Sequence, residues 1–307
     1  MSNHIAYHSR TSCELRLGCN FDDCKKHTAE LIKLDDHESG LGEFSVMFCS
    51  KCQLGFTEPY PTEDTSGYLY ESKNSSDFDL VNDSFVDKIK DLLSFRLLKK
   101  IAPHSNVKKV LDYSTGNGRF ALSASEAFPL AKIDAIDYQK SPPMLIAKSN
   151  KTNLNYINVN DISESNNLYD LIILRHVLEH SYHPISLIKD LSQRLAIDGV
   201  LYIEVPNLNS GCARIFGKYW KLYYVPRHIF HFTKSSLQEV IEKAGMTAVI
   251  EGNEIPLMGN AISIITGLKQ DNLFVQLLGI LFHPFQLVIE FFFQSSSCIN
   301  AKCKKLN

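Results

Sequence analysis

The sequence predicts an α/β protein whose core is a doubly wound parallel sheet, and two stretches carry that prediction. Residues 107–120 combine an apolar strand, a turn with Gly116 and Gly118, and the apolar pattern of a helix start. Glycine in such a turn lets a ligand approach the backbone closely. Residues 132–137 form a second apolar strand that ends at Asp137, about 20 residues after the glycine turn. A carboxylate at this position of a doubly wound sheet is placed to hold a ribose.

Two more strands end on polar side chains in the same rhythm. Residues 155–159 lead to Asp161, and residues 169–174 lead to Arg175 and His176. Because the carboxyl ends of parallel strands meet at one edge of a sheet, we expect these side chains to line a common crevice.

Four motifs resemble those of the class I S-adenosylmethionine-dependent methyltransferases, in that family's order and spacing. They are VLDYSTGNGRF, IDAIDY, NVNDI and YDLIILRHVLEH, within a resemblance that runs from about residue 84 to the C-terminus. The resemblance implies a Rossmann-like sheet of seven strands whose last strand is antiparallel. Residues 247–251 correspond to the sixth strand, and SSCINAKCKK is similar to the last.

The same resemblance implies a set of cofactor contacts. Asp137 corresponds to the residue that holds the ribose, and Asp161 to the residue at the adenine. Asp112 and the turn that follows it correspond to the site of the methionine portion. The implied cofactor-binding residues are Asp112, Ser114, Gly116, Gly118, Asp137, Tyr138, Asp161, Ile162 and Arg175. Ser114 departs from the family, which usually has glycine there, so we expect altered contacts in a site that is retained.

The charge balance argues against a nucleic-acid partner. The 307 residues include 32 basic and 34 acidic side chains, so the formal net charge is only −2 and no overall basic field exists. The chain is long enough for one large core and a small accessory domain. Its N-terminus lacks the apolar run of a signal peptide, which predicts a cytoplasmic protein.

Cysteines concentrate near the N-terminus and predict a structural zinc ribbon over residues 1–58. Two residues separate Cys49 from Cys52, a spacing that lets both thiolates reach one tetrahedral ion. The predicted ligands are Cys19, Cys24, Cys49 and Cys52. Cys13 or His27 in place of one ligand stays open, as does a hairpin of reduced cysteines without metal. A CxxC pair before a string such as GFTEPYP also resembles the N-terminal segment of a methyltransferase subgroup.

Residues 59–83 are polar, lack a period and predict a connecting loop before a third region, residues 84–307. Tyrosines in the loop, Tyr60, Tyr68 and Tyr70, suggest either a lid or packing between domains, and the second reading is favoured. A helix is expected from Ser84 to just before Pro103.

The string RHVLEHSYHP carries the densest set of titratable side chains, namely His176, Glu179, His180 and His183. By the resemblance, one or two of them contact substrate while the others orient the loop. If the methyl acceptor must lose a proton, His176 is the first candidate for the base and His180 the second. A hydrogen-bonded turn without a catalytic part is the alternative.

A second polar cluster lies among aromatic residues in GKYWKLYYVPRHIFHF. Trp220 and its neighbours are predicted to wall a substrate pocket, with Arg227, His228 and His231 as substrate-binding residues for an anionic group. Satisfied loop residues are an equally weighted alternative. A helix is expected to follow, capped by Ser236 with Glu239.

Residues 272–294 are strongly apolar and predict a helical hairpin of two short helices bent at Pro284. Three roles stay open for it: an interfacial contact with the inner face of a membrane, a core-covering or homodimer-forming hairpin, and a membrane span.

Together these patterns predict an S-adenosylmethionine-dependent methyltransferase, class EC 2.1.1. Its acceptor is expected to be a small molecule or a lipid- or carrier-linked one, such as a sugar in polysaccharide or natural-product biosynthesis. The alternative is a non-catalytic scaffold or an S-adenosylmethionine sensor. A nicotinamide-dependent oxidoreductase is disfavoured, because Asp112 stands where its fingerprint has glycine.

Overall fold

The computed structural model describes residues 5–9, 15, 17, 21–71, 85–102, 106–159, 161, 167–253, 258–268 and 272–306. Five residues named in the sequence predictions, Cys13, Cys19, Ser84, Pro103 and Ile162, lie outside these ranges.

The N-terminal segment is a small antiparallel structure with short helices. Its elements are β1 (Tyr7–His8), α1 (Phe21–His27), β2 (Thr28–Asp35), β3 (Glu43–Cys49), β4 (Leu54–Glu58), β5 (Tyr60–Pro61) and α2 (Tyr68–Glu71). The predicted connecting loop therefore contains a two-residue strand and a turn of helix.

An α/β domain follows. Its first half comprises α3 (Phe85–Ile101), β6 (Lys109–Tyr113), α4 (Arg119–Ala127), β7 (Lys132–Asp137), α5 (Met144–Ala147), β8 (Leu154–Asn158), β9 (Tyr169–Arg175) and α6 (Pro184–Gln193). Its second half comprises β10 (Leu195–Pro206), α7 (Gly211–Phe216), β11 (Phe230–His231), α8 (Lys234–Lys243), β12 (Met246–Asn253), α9 (Met258–Thr266), α10 (Leu273–Phe293) and β13 (Cys298–Lys305).

The central sheet has the predicted seven strands, in the order β12-β13-β10-β9-β6-β7-β8. Strands β10, β9, β6, β7 and β8 run parallel, whereas β13 lies antiparallel between β10 and β12. The prediction of a Rossmann-like sheet with an antiparallel last strand is confirmed. The strand order reverses between β6 and β9, and such a switch point opens a ligand crevice at the carboxyl edge.

Both faces of this sheet are buried, which explains the near-continuous apolar runs of its strands. Along β9, Leu171 and Ile173 face a cluster with α3 and α4, while Ile172 and Leu174 face a cluster with α6 and α8. The second cluster also takes in Phe56 from the N-terminal segment.

The N-terminal sheet is completed by a strand from the C-terminal half of the chain. Its order is β11-β4-β3-β2, and Phe230 and His231 of β11 pair with Phe56 and Gly55 of β4. A Cβ atom at Gly55 would lie 2.8 Å from Leu208 Cδ2 and 3.0 Å from His231 Cβ, so a larger residue would displace these side chains. The segments on either side of the predicted boundary at residue 58 thus share one sheet.

The apolar segment at 272–294 differs from its prediction. It is the single continuous helix α10, with Pro284 inside it, and the hairpin is formed by α9 and α10. A Cβ at Gly279 would lie 2.9 Å from the Gly259 Cα, so the two helices touch backbone to backbone. Pro284 lacks the N–H group that a helix interior normally uses, yet the helix continues through it. The helix packs against the protein on both sides of the proline, at Gly279 and at Ile289.

The start of α8 also corrects the prediction of a cap from Ser236 and Glu239. Thr233 is the N-cap, and its hydroxyl accepts from the Ser236 N–H while the Ser236 hydroxyl accepts from the Thr233 N–H. The Thr233 hydroxyl also donates to the Gln53 carbonyl at 2.8 Å. One side chain therefore starts α8 and holds the N-terminal segment against it.

We expect Thr233→Ala to lower the free energy of unfolding by about 1–2 kcal/mol, because it removes a helix cap and leaves the Gln53 carbonyl without this donor. Urea unfolding followed by circular dichroism measures the change. The exposed Ser235→Ala in the same turn is the matched control and should change stability little. Equal effects of the two substitutions would contradict the capping assignment.

Candidate active site

The turn between β6 and α4 has the geometry of a ligand cradle. Gly116 and Gly118 have φ angles of 58° and 82°, in the region that favours glycine. A Cβ at Gly118 would lie 2.5 Å from Ile146 Cγ1, so a side chain there has no room. The Thr115 hydroxyl donates to the buried Asp112 carboxylate at 2.7 Å, and burial raises the pKa of Asp112 to about 6.

Ser114, the departure from the family pattern, sits in the same left-handed region with φ 64°. A non-glycine residue is strained there, which explains why glycine is usual at this position. The turn is nevertheless held to the next strand, because the Thr115 N–H donates to the Ile136 carbonyl at 2.8 Å. The turn is therefore retained with serine at position 114, at a cost in backbone strain.

Asp137 lies at the carboxyl end of β7 and faces this turn. Its carboxylate accepts the N–H groups of Gly116 and Tyr138, each at 2.8 Å. Burial raises the pKa of Asp137, and hydrogen bonds from the N–H groups of Gly116, Tyr138 and Gln139 oppose that effect. Each carboxylate oxygen has a second acceptor position, so the group both shapes the turn and keeps capacity for ribose hydroxyls.

The remaining predicted cofactor residues are placed less tightly. Tyr138 and Asp161 have exposed side chains next to the β7 and β8 ends, and Ile162 lies outside the described residues. The described turn and Asp137 together fit a nucleoside-bearing cofactor such as S-adenosylmethionine.

Arg175, a predicted cofactor contact, pairs with a carboxylate of the protein. Its Nε and Nη2 donate to Oε1 of Glu204 on β10 at 2.9 and 2.7 Å, and its guanidinium lies 4.3 Å from the Phe120 ring centroid. Arg175 therefore ties β9 to β10. Sequence reasoning missed the buried Glu204, although an acid inside the apolar strand YIEVP was a usable signal.

His176 lies between two buried carboxylates. Its Nε2 is 3.3 Å from Glu204 Oε1 and its Nδ1 is 3.4 Å from Glu179 Oε1. Burial alone would lower the pKa of His176, but hydrogen bonding and the charges of Glu179 and Glu204 raise it to about 9. At neutral pH the ring is therefore a cation without a lone pair, which weighs against the predicted order of bases. Its φ of 52° adds backbone strain of the kind found at functional sites.

His180 has the opposite protonation state. Its Nδ1 lies 2.9 Å from the Arg227 carbonyl and 3.1 Å from the Tyr70 hydroxyl, and burial lowers its pKa. A nitrogen that contacts a carbonyl must carry the proton, so the lone pair of this neutral ring is on Nε2. Tyr224 and His228 approach the ring edge-on, with centroids 6.3 and 4.6 Å away. His183, by contrast, is exposed beside Glu63.

The predicted substrate-binding histidines are buried and neutral. His228 Nδ1 lies 2.9 Å from the Leu222 carbonyl, and burial lowers its pKa. The Thr57 hydroxyl donates to the His228 carbonyl and so accepts from His231 Nε2 at 2.9 Å. Burial lowers the pKa of His231 to about 3. Strand β4 thus holds His228 and His231 in place through the Thr57 hydroxyl; together with His180 we call these residues the histidine cluster.

Arg227 is also buried, and its partners belong to the protein. Its Nη1 lies 3.2 Å from Asp36, and its Nη2 donates to Ser39 and to the Leu69 carbonyl. These contacts weigh against the predicted role as an anion-binding side chain. They give Arg227 a structural role, in which it joins the end of β2, helix α2 and residues 217–232, which we call the aromatic loop.

A cavity of about 370 Å³ lies beside this cluster. It is lined on one side by Trp220 and Tyr224, on another by the residues after β2, and on a third by α9. The glycine turn does not contribute to it. Tyr224 is the link to the histidines, because it lines the cavity and its ring centroid lies 6.3 Å from that of His180. The prediction of aromatic pocket walls in this loop agrees with this lining.

Three cysteines of the predicted zinc set converge. The sulfur atoms of Cys24, Cys49 and Cys52 lie within 4.8 Å of one another, and all three residues are buried. Burial alone would raise the pKa of Cys49, but N–H groups of Cys52 and Lys51 and the two neighbouring thiols lower it. A stabilised thiolate in such a cluster fits zinc. Cys24 lies on helix α1, and the predicted fourth ligand, Cys19, is outside the described residues.

Comparison with known proteins agrees with this geometry. A family model described as a methyltransferase domain matches residues 86–251, more than half of the chain. The ubiquinone biosynthesis O-methyltransferase of Rickettsia canadensis is 29% identical over 49% of this chain and 68% of that protein. The same enzyme of Rickettsia typhi is 28% identical over 45% of this chain and 59% of that protein, so less than two thirds of its length is matched.

A solved structure of the plantazolicin methyltransferase BpumL in complex with SAH has the same fold. It superposes with a TM-score of 0.50 over 79% of this chain and 94% of the other, at 19% identity. The glycine turn, the acid at the end of β7 and the family match agree: the chain belongs to the methyltransferase-domain family of class I S-adenosylmethionine-dependent methyltransferases.

Proposed function

We propose that the protein methylates an oxygen of a small or carrier-linked acceptor, with His180 as the general base. The observation that carries the proposal is the contrast between two histidines after β9: His176 lies between two buried carboxylates, whereas His180 Nδ1 contacts the Arg227 carbonyl. His176 is held charged by two carboxylates, while burial keeps His180 neutral with its lone pair on Nε2. The relatives named ubiquinone biosynthesis O-methyltransferase support oxygen as the attacked atom.

The chain's own residues account for binding and for proton removal. S-adenosylmethionine supplies an electrophilic methyl group when bound. Asp137 would hold its ribose, and the turn from Asp112 to Gly118 would hold the methionine portion. His180 Nε2 would take the acceptor proton. The carboxylate of Glu179 is buried, lies 3.4 Å from His176 Nδ1 and 3.7 Å from His228 Nε2, and belongs to the same cluster as His180, so it would stabilise the imidazolium that forms.

The site also limits access of water to the base. The His180 ring has Tyr70, Tyr224 and His228 around it, with centroids between 4.6 and 6.4 Å away. Holding acceptor and base in a dry enclosure lowers the entropy cost of the displacement and strengthens the electrostatic interactions within it. A cavity of about 370 Å³ next to Tyr224 is large enough for the ring of an acceptor.

Removal of the Asp137 carboxylate tests the cofactor site. We expect Asp137→Ala to weaken binding of S-adenosylhomocysteine by about 10–100-fold, because charge-assisted hydrogen bonds to the ribose and to the Gly116 N–H are lost. Isothermal titration calorimetry measures the affinity, with the exposed Asp190→Ala as control. Failure of the folded wild-type protein to bind would favour the non-catalytic scaffold, and normal binding by Asp137→Ala would remove the ribose assignment.

The base is tested by His180→Asn, whose side-chain amide keeps a donor near the Arg227 carbonyl but has no basic nitrogen. We expect the rate of methyl transfer to fall about 10²–10⁴-fold while affinity for S-adenosylhomocysteine stays within a few-fold. Radiolabelled S-adenosylmethionine and an acceptor pool extracted from producing cells provide the assay. His183→Asn, at an exposed position, is the control.

The pH dependence of this reaction follows from the lowered pKa of His180. A base is active when deprotonated, so activity is lost as the pH falls through a pKa below 6.5 and is constant around neutrality. An activity that instead rises near pH 9 would identify His176 as the base.

We further propose that Cys24, Cys49 and Cys52 hold a structural zinc ion with a fourth ligand from the N-terminal segment. The convergence of three buried sulfur atoms and the lowered pKa of Cys49 support it. The site would brace α1 against the β3–β4 turn, and β4 in turn supports His228 and His231. Zinc at this position would therefore be structural rather than catalytic.

For the zinc site we expect about one equivalent of zinc in the purified protein by plasma mass spectrometry. Cys49→Ser should reduce it severalfold or more and lower the midpoint of thermal unfolding, because the site loses a thiolate. Cys303→Ser, at a buried cysteine of β13, is the matched control and should leave the zinc content unchanged. Zinc-free protein of normal stability would contradict the proposal.

A further inference from the structure

Helix α10 faces the protein with two buried polar residues beside the apolar Val275 and Ile289, and it faces outward with an apolar surface. Gln286 and Glu290 are buried, the Gln286 amide donates to the Glu290 carboxylate at 2.9 Å, and Ser297 N–H donates to it at 3.2 Å. The outward side carries large apolar side chains along its whole length, among them Leu273, Leu277, Leu281, Phe285, Phe291 and Phe292. A helix at an aqueous surface carries polar side chains on its outward side instead.

The apolar surface is extended and almost uncharged. Phe291 is 79% exposed, Phe292 77% and Leu281 68%, and a helix of 21 residues is about 30 Å long. Within the described residues of α9 and α10, the buried Glu290 is the one Asp, Glu, Lys or Arg. Exposed apolar patches of this extent mark docking surfaces.

The contacts of α10 with the rest of the protein indicate whether the helix lies on a membrane or crosses it. By length and composition it could cross, with a mean hydropathy of 1.6 over 18 residues. One flank, however, packs on the body: a Cβ at Gly211 of α7 would lie 2.8 Å from Phe293 Cβ, and Gly279 touches Gly259. Just after the helix, the Asn207 amide donates to Ser295 Oγ at 3.0 Å. A helix held along its flank can expose only the other side to lipid.

Cations border the apolar face, as expected for an anionic lipid surface. Arg214 and Lys218 are exposed four residues apart, on α7 and the turn after it, and the Arg214 guanidinium lies 5.8 Å from the Phe293 ring centroid. Ile215 and Tyr219, beside them, are also exposed. Basic and aromatic side chains at the rim of an apolar helix are typical of interfacial membrane contacts.

We propose that the outward face of α10, with Arg214 and Lys218 at its rim, docks in the plane of an anionic phospholipid bilayer. The helix lies parallel to the surface, its phenylalanine and leucine side chains enter the acyl boundary, and the two cations contact lipid phosphates. This docking does not depend on methyl transfer. If methyl transfer also holds, docking places the cavity lined by α9 next to the membrane, and the acceptor class is then a lipid-borne molecule.

Flotation of the full chain with vesicles of phosphatidylethanolamine and phosphatidylglycerol (3:1) tests the proposal. Wild-type protein should float, and Leu281→Glu/Phe291→Glu should reduce the bound fraction at least tenfold. The matched control is Leu130→Glu/Ile197→Glu, at positions that are 96% and 94% exposed elsewhere on the domain, and it should float like wild type. Arg214→Glu/Lys218→Glu should weaken binding to these vesicles severalfold and leave binding to phosphatidylcholine vesicles unchanged.

Three results would overturn the inference. Equal flotation of the Leu281→Glu/Phe291→Glu variant and wild type would remove α10 from the contact. Failure of wild type to float, together with a dimer that this variant dissociates in analytical ultracentrifugation, would assign the face to a second copy of the chain. Resistance to alkaline carbonate extraction would indicate a span. S-adenosylhomocysteine affinity reports the folding of each variant, and Phe291→Ser/Phe292→Ser serves should the glutamate variant not fold.

Discussion

The buried carboxylate of Glu204 is the interaction on which the carboxyl edge of the sheet depends. It binds the Arg175 guanidinium through two donors, lies 3.3 Å from His176 Nε2 and accepts from Tyr202. Burial alone would raise the pKa of Glu204, but the charges of Arg175 and His176 hold it far below its usual range. Loss of one partner leaves an unpaired buried charge and destabilises the fold strongly. The positions of Glu204, Arg175 and His176 therefore depend on one another. The same carboxylate keeps His176 charged, and this separates its role from that of His180.

The N-terminal segment forms part of the wall behind the site. Its contacts reach the aromatic loop at several points, from Thr57 to the two buried histidines and from Asp36 to Arg227. The orientation of His228, and through the Arg227 carbonyl that of His180, therefore depends on residues far from the cofactor turn. A structural metal near β4 would influence catalysis through this wall without touching any reacting atom.

Sequence patterns predicted the sheet well because their causes are local. A strand buried on both faces is an apolar run, and the second strand was predicted with the bounds 132–137 that it has. The remaining features depend on partners far along the chain. Arg227 was predicted to bind an anion, and its contact with Asp36, 191 positions away, could not be inferred from the local sequence. Glu204 sets the charge of His176 from a neighbouring strand, and no local pattern reports that. Pro284 was expected to separate two short helices, but the segment is one continuous helix that packs on the protein on both sides of the proline.

The position of β13 has a consequence for the order in which the protein is made. It lies between β10 and β12, hydrogen-bonded to both, so β12 has no neighbour in the sheet until residues 298–305 have been synthesised. The five parallel strands can pair with one another without β13, whereas β12 cannot join the sheet before it. Asn253, which donates to Glu204 from the end of β12, reaches its acceptor only afterwards. The hydrogen bonding of Glu204 is therefore complete only when β13 has joined the sheet.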